Sequence, residues 1–188
     1  MILVTGGTGL VGCHLLYLLI KNDKKVSAIH RKNSNLEKVK KVFSTYSKNS
    51  EELFDKINWI EGDINDLESL SVAFKNIQEV YHCAAFISFD KKDLKSMKKI
   101  NIEGTANMVN VSLDKKIKKF CYVSTIAAIG LSTNKYTDEE TEWTENSNPY
   151  SQTKKNAEME VWRGISEGLN ATIVNPGVII GSGFWKRG

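Results

Sequence analysis

A glycine-rich turn after the first apolar run constrains the fold more than any other feature of the chain. The segment Thr5-Gly6-Gly7-Thr8-Gly9-Leu10-Val11-Gly12 directly follows a predicted strand, Ile2 to Thr5, and opens a predicted helix. Glycines at this spacing permit a tight turn, let the backbone approach a pyrophosphate and allow the helix to pack closely on the strand. The helix N-terminus offers N–H groups to the anion. The residues predicted to bind a dinucleotide here are Gly6, Gly9, Leu10, Val11 and Gly12.

The alternative for this segment is a glycine cluster that serves only as a turn. Four glycines at this spacing, placed between a strand and a helix, argue against it. We therefore expect a nucleotide-binding turn.

Short apolar runs alternate with longer stretches of helical period along the chain, a pattern typical of a parallel sheet covered on both faces by helices. The sequence predicts a Rossmann-type, doubly wound α/β fold in one domain spanning residues 1–188. The predicted strands are Ile2–Thr5, Lys25–His30, Asn58–Glu61, Glu79–His82, Phe120–Ser124 and Ala171–Asn175. Helices are predicted over about 10–19, 36–56, 67–74, 94–113 and 151–167.

Composition excludes several classes of protein. The formal net charge of +4 arises from scattered lysine pairs, which indicates a solvated surface and no nucleic-acid partner. The longest apolar run, Leu15 to Ile20, is far shorter than the roughly 18 residues of a membrane span. The N-terminus lacks a signal-peptide pattern, so we expect a cytoplasmic protein with no membrane partner. Three isolated cysteines, Cys13, Cys83 and Cys121, have no metal-ligand spacing, and no metal is expected.

The end of the second strand bears on the choice of cofactor. Its sequence is His30-Arg31-Lys32, and no carboxylate occurs from Lys24 to Leu36. An acidic residue here would accept from the 2′-hydroxyl of NAD(H), whereas a guanidinium suits the 2′-phosphate of NADP(H). The sequence thus favours NADP(H) over NAD(H), with Arg31 as the phosphate ligand. The alternative is that Arg31 and Lys32 belong to a solvated loop.

Five separated motifs occur in a fixed order along the chain. They are TGGTGLVG at Thr5–Gly12, GDI at Gly62–Ile64, HCAA at His82–Ala85, NIEGT at Asn101–Thr105, and VST followed by YSQTK at Tyr150–Lys154. In order and separation they resemble the extended short-chain dehydrogenase/reductase family. That family includes dihydroflavonol-reductase-like, 3β-hydroxysteroid-dehydrogenase-like and NAD-dependent sugar-nucleotide epimerase/dehydratase enzymes.

The resemblance implies roles for residues outside the glycine turn. Asp63 and Ile64 would contact the adenine, and Ala84 and Ala85 would line the cofactor channel. Asn101 would support the catalytic lysine through water. The NPGVIIG stretch around Pro176 resembles the family's loop beside the nicotinamide.

Tyr150 and Lys154 are four positions apart on a predicted helix and therefore project from one face. A free tyrosine, with a pKa near about 10, is a poor base at neutral pH, but a neighbouring ammonium favours the phenolate. Tyr150 could then exchange a proton with a substrate hydroxyl, while Lys154 would also bind the nicotinamide ribose. The family's pattern, counted back from Gly130, selects Thr125 as the hydroxyl that polarises the substrate oxygen, with Ser124 as the alternative.

A second pair, Tyr17 and Lys21, has the same spacing. It lies on the helix after the glycine turn, with Tyr17 inside an apolar run, so we interpret it as a core aromatic and a surface lysine. His14, on an inward helix face, and His82, at the end of a buried strand, are likewise predicted to be structural.

The resulting hypothesis is an NAD(P)-dependent oxidoreductase that transfers hydride at a secondary alcohol or ketone. Two alternatives stay open: an epimerase or dehydratase acting on a sugar nucleotide through transient oxidation, and a non-catalytic NADP(H)-binding module. Family members continue well beyond the proline-glycine loop, whereas this chain ends twelve residues after Pro176. We therefore expect a truncated piece that lacks the C-terminal substrate region. Helices resembling the family's dimer helices, about 94–113 and the one bearing Tyr150, suggest a possible homodimer.

Overall fold

The computed structural model describes residues 1–130, 138, 140–141 and 148–183. Its strands are β1 (Ile2–Thr5), β2 (Val26–His30), β3 (Asn58–Glu61), β4 (Glu79–His82), β5 (Lys119–Val123) and β6 (Ala171–Val174). They form a six-stranded parallel sheet in the order β3-β2-β1-β4-β5-β6. This is the strand order of a dinucleotide-binding Rossmann fold, and the predicted fold class is confirmed.

The α-helices are α1 (Leu10–Lys21), α2 (Glu37–Ser44), α3 (Ser50–Asp55), α4 (Leu67–Ala73), α5 (Leu94–Met97), α6 (Gly104–Asp114) and α7 (Pro149–Ser166). Short 3₁₀ turns cover Lys91–Asp93 and Ile126–Ala128, and a π-helical segment covers Lys98–Glu103. The stretch between Gly130 and Pro149 is rich in Thr, Asn and Glu, which predicts a long polar loop. Most of it lies outside the described residues.

Two predicted helices differ from the structure. The single helix expected over 36–56 is two helices, α2 and α3, separated by the polar run Thr45–Asn49. The Thr45 hydroxyl donates to the Val42 carbonyl at 2.7 Å, a local bond that competes with continuation of the helix. The helix expected over 94–113 is interrupted by the π-helical segment, because one wider turn joins α5 to α6.

The described residues form two compact units. The first contains Met1–Ala84 and the segment from Ile179 onward. Strand β1 is buried along its whole length, and Leu3 pairs with Ser27 of β2 and with Val80 of β4. Helices α1 and α2 pack their apolar faces into the same core. The buried aliphatic side chains that they contribute include Leu16, Ile20, Val39 and Val42.

A late segment of the chain packs onto α1 and α2 within this first unit. The backbone carbonyl of Ser182 lies 3.2 Å from Nε2 of His14, whose Nδ1 lies 2.7 Å from the Tyr46 hydroxyl. A Cβ at Gly183 would come within 3 Å of the Val42 side chain, so the close packing of this segment on α2 requires glycine at position 183. His14 therefore has structural contacts, in line with its predicted role.

The second unit contains Ala85–Val178. Its strands β5 and β6 run parallel, with Tyr122 opposite Ile173. Helices α6 and α7 pack closely where Gly164 faces Val109, since a Cβ at Gly164 would lie 2.5 Å from Val109 Cγ1. These elements hold the end of β5 beside the first turns of α7.

Candidate active site

Two glycines of the glycine-rich turn lie so close to other backbone atoms of the chain that a side chain would not fit. Gly6 has a φ of +68°, and a Cβ there would lie 2.6 Å from the Ala84 backbone nitrogen. A Cβ at Gly12 would overlap the carbonyl oxygen of Gly6. Both positions therefore demand glycine for steric reasons, because a side chain would overlap backbone atoms of the chain itself. We call this turn, from Gly6 to Gly12, the glycine cradle.

Helix α1 begins within this cradle. Gly9 is its N-cap residue, has no side chain that could cap it, and donates its own N–H to the Gly6 carbonyl at 2.9 Å. The first turn, with Leu10 and Val11, contains no acidic side chain. The positive end of the helix dipole is thus uncompensated by side chains, as an anion-binding helix start requires.

The ends of β2 and β3 carry the residues predicted for the adenosine half of a dinucleotide. Arg31 is exposed, and its backbone N–H donates to the Ser34 hydroxyl at 3.0 Å. The Asp63 carboxylate accepts from the backbone N–H and the side-chain amide of Asn65, at 2.9 and 3.1 Å. Ile64 is buried. Asp63 thus stabilises its own turn, and its role toward adenine stays a prediction.

The end of β4 carries the predicted channel residues. The backbone N–H of Ala84 donates to the Thr5 hydroxyl at 3.2 Å, and that hydroxyl lies 2.7 Å from Nδ1 of His82. His82 is completely buried, consistent with the structural role expected of it. Ala85, the first residue of the second unit, is exposed.

Asn101 lies in the π-helical segment and is buried. Its Oδ1 accepts from the Phe86 N–H at 2.7 Å, and its Nδ2 donates to the Phe86 carbonyl and to the Thr153 hydroxyl at 3.0 and 3.1 Å. Thr153 directly precedes Lys154. Asn101 therefore joins the segment after β4 to the helix that contains Thr153 and Lys154, and its support of the lysine through water stays a prediction.

Helix α7 begins at Pro149, two residues before its predicted start. Asn148 caps it by accepting from the Ser151 N–H at 2.9 Å, and proline fits the first helical position because it lacks the N–H that would be left unpaired. This start places Tyr150 on the first turn and Lys154 on the second.

The Lys154 side chain is buried, with 1% of its surface exposed. Its Nζ donates to the Tyr122 hydroxyl at 2.7 Å and to the Val123 carbonyl at 2.9 Å, at the end of β5. Burial raises the pKa of Tyr122 well above its ordinary value, with a further increase from the nearby Glu158 charge, so this phenol is neutral. Both of these acceptors are neutral oxygens.

Tyr150 is half-buried, and its ring meets the exposed Phe89 ring edge-on at 6.2 Å between centroids. Burial raises the pKa of the Tyr150 phenol above its ordinary value. A phenol that is to exchange protons near neutral pH therefore needs a positive charge that opposes this effect.

The two candidate hydroxyls after β5 have different surroundings. Ser124 is buried, and its hydroxyl donates to the Glu158 carboxylate at 2.5 Å. The Thr125 hydroxyl accepts from the Ala127 N–H at 3.3 Å and is partly exposed, which leaves its own proton available to a substrate oxygen. The choice of Thr125 over Ser124 stays a prediction. Pro176 lies next to this site in the second unit, since its carbonyl accepts from the Ile126 N–H at 3.0 Å.

Three residues at the site escaped the sequence interpretation: Tyr122, Glu158 and Asn175. Glu158 carried a weak signal, because it lies four positions after Lys154 and therefore one turn further along the same helix. Tyr122 lies on β5, and Asn175 directly follows β6. Asn175 opens the NPGVIIG stretch, but its contacts could not be derived from that motif.

The second tyrosine–lysine pair differs clearly from the first. Tyr17 is buried and stacks on Tyr46 at 4.5 Å between ring centroids, whereas Lys21 is exposed with its Nζ 6.0 Å from the Tyr17 ring. Tyr17 is thus a core aromatic, as predicted.

The Rossmann strand order, the glycine cradle and the Tyr150–Lys154 helix define an extended short-chain dehydrogenase/reductase. Residues 4–186 match the nicotinamide-dinucleotide-binding family model NAD_binding_4, described as "Male sterility protein", and the chain belongs to this family.

Curated relatives span several reactions. The chain is 29% identical over 181 residues to the "Putative dihydroflavonol 4-reductase" of Synechocystis sp., covering 95% of the chain and 49% of that protein. It is 31% identical over 163 residues to the human "dTDP-D-glucose 4,6-dehydratase", covering 84% and 44%. The homologues thus include reductases and dehydratases.

A solved structure with a similar fold is the terminal R domain of the myxalamid PKS-NRPS pathway, with a TM-score of 0.81 and 28% identity. The alignment covers 96% of this chain and 49% of that one. The chain spans about half the length of the curated relatives it matches. Within the described residues, none of the helices has the length and apolar character to cross a membrane.

Proposed function

We propose that this chain carries the cofactor-binding and catalytic residues of an NADP(H)-dependent oxidoreductase acting on a secondary alcohol or ketone. The observation that carries the proposal is the buried Lys154 ammonium, held by two neutral oxygens one helical turn from Tyr150. A lysine held at this place, one helical turn from a tyrosine and beside the strand end that precedes Thr125, supports a chemical role.

Thr125, Tyr150 and Lys154 have different roles in the proposed reaction at the substrate oxygen. In the reductive direction the Thr125 hydroxyl donates a hydrogen bond to the carbonyl oxygen, and Tyr150 delivers the proton. The Lys154 charge lowers the pKa of the Tyr150 phenol and opposes the increase that burial causes. The bound nicotinamide supplies or accepts the hydride.

The glycine cradle fits the pyrophosphate of such a cofactor. Gly6 and Gly12 let the turn pack tightly on the chain's own backbone, and the start of α1, which has no side-chain cap, offers N–H donors to an anion. The exposed Arg31, without an acidic neighbour on its strand end, supports NADP(H) over NAD(H).

An epimerase or dehydratase reaction is a second candidate, favoured by the 31% identity to a dTDP-D-glucose 4,6-dehydratase. It would use the same three side chains for a transient oxidation, so these residues do not distinguish the two reactions. A non-catalytic module that only binds NADP(H) would have no need of the buried lysine. For this reason we favour an enzyme.

A homodimer through helices α5–α6 and α7 forms part of the proposal. Met159 and Trp162 on α7 are exposed to about half of their surface, 56% and 50%, which is unusual for large apolar side chains and suits a helix face covered by a second copy. Sedimentation of the wild type and of a Trp162→Glu variant would test it. A wild type that is monomeric at all concentrations would exclude the dimer.

The experiment that tests the enzymatic proposal uses the purified protein, expressed from the whole reading frame that contains this chain. Binding of NADPH and NADH is followed by nicotinamide fluorescence, and turnover is followed with a panel of ketones, secondary alcohols and sugar nucleotides. We expect NADPH to bind more tightly and a carbonyl compound to be reduced. NADPH binding without turnover of any compound would favour the binding module, and release of a 4-keto sugar would favour the dehydratase.

A further inference from the structure

We propose that Glu158 is a positioning residue that holds the ends of β5 and β6, so that the Thr125 hydroxyl, and not that of Ser124, meets the substrate oxygen. This inference rests on the proposed oxidoreductase function. It concerns a carboxylate that the mechanism above does not use.

The Glu158 carboxylate accepts three hydrogen bonds. Its Oε2 accepts from the Ser124 hydroxyl at 2.5 Å and from the Asn175 amide at 2.9 Å. Its Oε1 accepts a longer bond, 3.4 Å, from the Trp162 indole N–H. Oε2 accepts from both the Ser124 hydroxyl and the Asn175 amide, so a single oxygen atom joins the residues that follow β5 and β6.

Asn175 connects the Glu158 carboxylate to the backbone of Thr125. The same Nδ2 that donates to Glu158 also donates to the Thr125 carbonyl, at 3.2 Å. On either side of Thr125, the Ser124 N–H donates to Val174 at 2.8 Å and the Ile126 N–H donates to Pro176 at 3.0 Å. The Thr125 backbone is therefore held in its extended conformation from both neighbouring peptides and from Asn175.

The Glu158 carboxylate also determines which hydroxyl, that of Ser124 or that of Thr125, can donate to the substrate oxygen. A serine hydroxyl has a single proton to donate, and that of Ser124 is used in its bond to Glu158. Thr125 keeps its proton for the substrate. Glu158 thus assigns a structural task to Ser124 and leaves the chemical task to its neighbour.

Two substitutions separate the acceptor from the charge. Glu158→Met keeps the length of the side chain but removes every acceptor, whereas Glu158→Gln keeps one carbonyl oxygen that can accept from both Ser124 and Asn175. The matched control is Glu160→Met, the same chemical change on the same helix, at a residue whose carboxylate pairs with Arg163 at 2.9 Å.

We expect E158M to lower kcat at least about tenfold, while KM and the Kd for NADPH change less than about twofold. E158Q should keep kcat within about threefold of the wild type, and E160M should behave like the wild type. Unchanged kcat in a folded E158M variant would overturn the proposal. An equal loss in E158Q would do so as well, because the positioning role needs only the acceptor.

If the E158M variant does not fold, two further variants test the proposal. Asn175→Ala removes the donor to Thr125 and should reproduce the fall in kcat at constant KM. Ser124→Ala should cost less than about threefold, and a loss as large as that of Thr125→Ala would assign the chemistry to Ser124 and overturn the proposal.

A double-mutant cycle distinguishes positioning of Thr125 by Glu158 from a general structural role of Glu158. In a Thr125→Ala background, E158M should add no further loss of kcat, since the hydroxyl that it positions is already absent. Additive losses would reject positioning through Thr125. An inactive wild type would reject the proposed function itself and this inference with it, whereas an active wild type with an unaffected E158M variant would reject only this inference.

Discussion

Lys154 donates a hydrogen bond from its buried ammonium to the hydroxyl of Tyr122, at 2.7 Å. The ammonium also lies 4.3 Å from the centroid of the Tyr122 ring. Tyr122 therefore holds the lysine without neutralising it. In the proposed mechanism, an acidic side chain in place of Tyr122 would reduce the effect of the Lys154 charge on the Tyr150 phenol.

Replacing Tyr150 by phenylalanine removes the proton-exchanging group and little else. General acid–base catalysis contributes about 10²–10⁴-fold, so we expect Y150F to lose turnover by that factor while the Kd for NADPH stays nearly unchanged. Turnover assays and nicotinamide fluorescence measure the two effects. Tyr17→Phe, at the other tyrosine–lysine pair, is the control and should remain active. Persistent activity of Y150F would remove Tyr150 from the mechanism.

Replacing Tyr122 by phenylalanine leaves a buried ammonium with one acceptor fewer. A hydrogen bond to a charged group contributes about 1.5–3 kcal/mol, and we expect the free energy of unfolding to fall by about that amount. Urea unfolding measures it. The control is Tyr46→Phe, which removes a tyrosine hydroxyl 2.7 Å from His14 at an exposed position and should cost less than about 1 kcal/mol. Equal losses in the two variants would contradict this account.

Stability should decline at alkaline pH. The pKa values of Tyr122 and Tyr150 are raised in the folded state, chiefly by burial, so above about pH 10 the folded chain binds more protons than the unfolded chain. The free energy of unfolding must then fall as the pH rises past this point. Urea unfolding between about pH 8 and pH 11 should show the decline, and it should be shallower in Y122F. An equally steep decline in Y122F would exclude Tyr122 as a source.

Replacing Gly12 by alanine should destroy the cradle, since the new Cβ would overlap the Gly6 carbonyl. We expect NADPH binding to be lost and the free energy of unfolding to fall by about 1–3 kcal/mol. Gly168→Ala is a matched control, because Gly168 has a φ of +100° but open space around it. That variant should bear conformational strain yet bind NADPH normally. Normal binding by G12A would show that the turn does not contact the cofactor.

Replacing Arg31 by alanine should reduce the preference for the phosphorylated cofactor. Loss of a charge-assisted contact to a 2′-phosphate costs about 1.5–3 kcal/mol, which corresponds to about 10–100-fold in the Kd for NADPH. The Kd for NADH should not change. Lys24→Ala, which removes a positive charge just before the other end of β2, serves as the control. Tighter binding of NADH than NADPH by the wild type would contradict the assignment.

The sequence predicted the structure best where a local pattern of apolar residues or of residue spacing determines a single strand or helix. The apolar runs predicted β1, β3 and β4 with their observed bounds, and the spacing of Tyr150 and Lys154 correctly placed both on one helix. The helix interruptions at Lys98–Glu103 and Thr45–Asn49 were missed, since neither segment contains a glycine or proline that would mark a break. The contacts of Tyr122, Glu158 and Asn175 could not be predicted, because they depend on strand register and burial rather than on spacing along one element.

The contact between His14 and Ser182 joins positions 168 residues apart. During synthesis, the segment Met1–Ala84 leaves the ribosome long before the residues that pack onto α1 and α2 have been made. Closing so long a loop costs entropy that later contacts must offset. The N-terminal unit therefore completes its packing only after the intervening 85–178 have emerged, and nascent chains arrested before Ser182 should expose the surface around His14 to proteases.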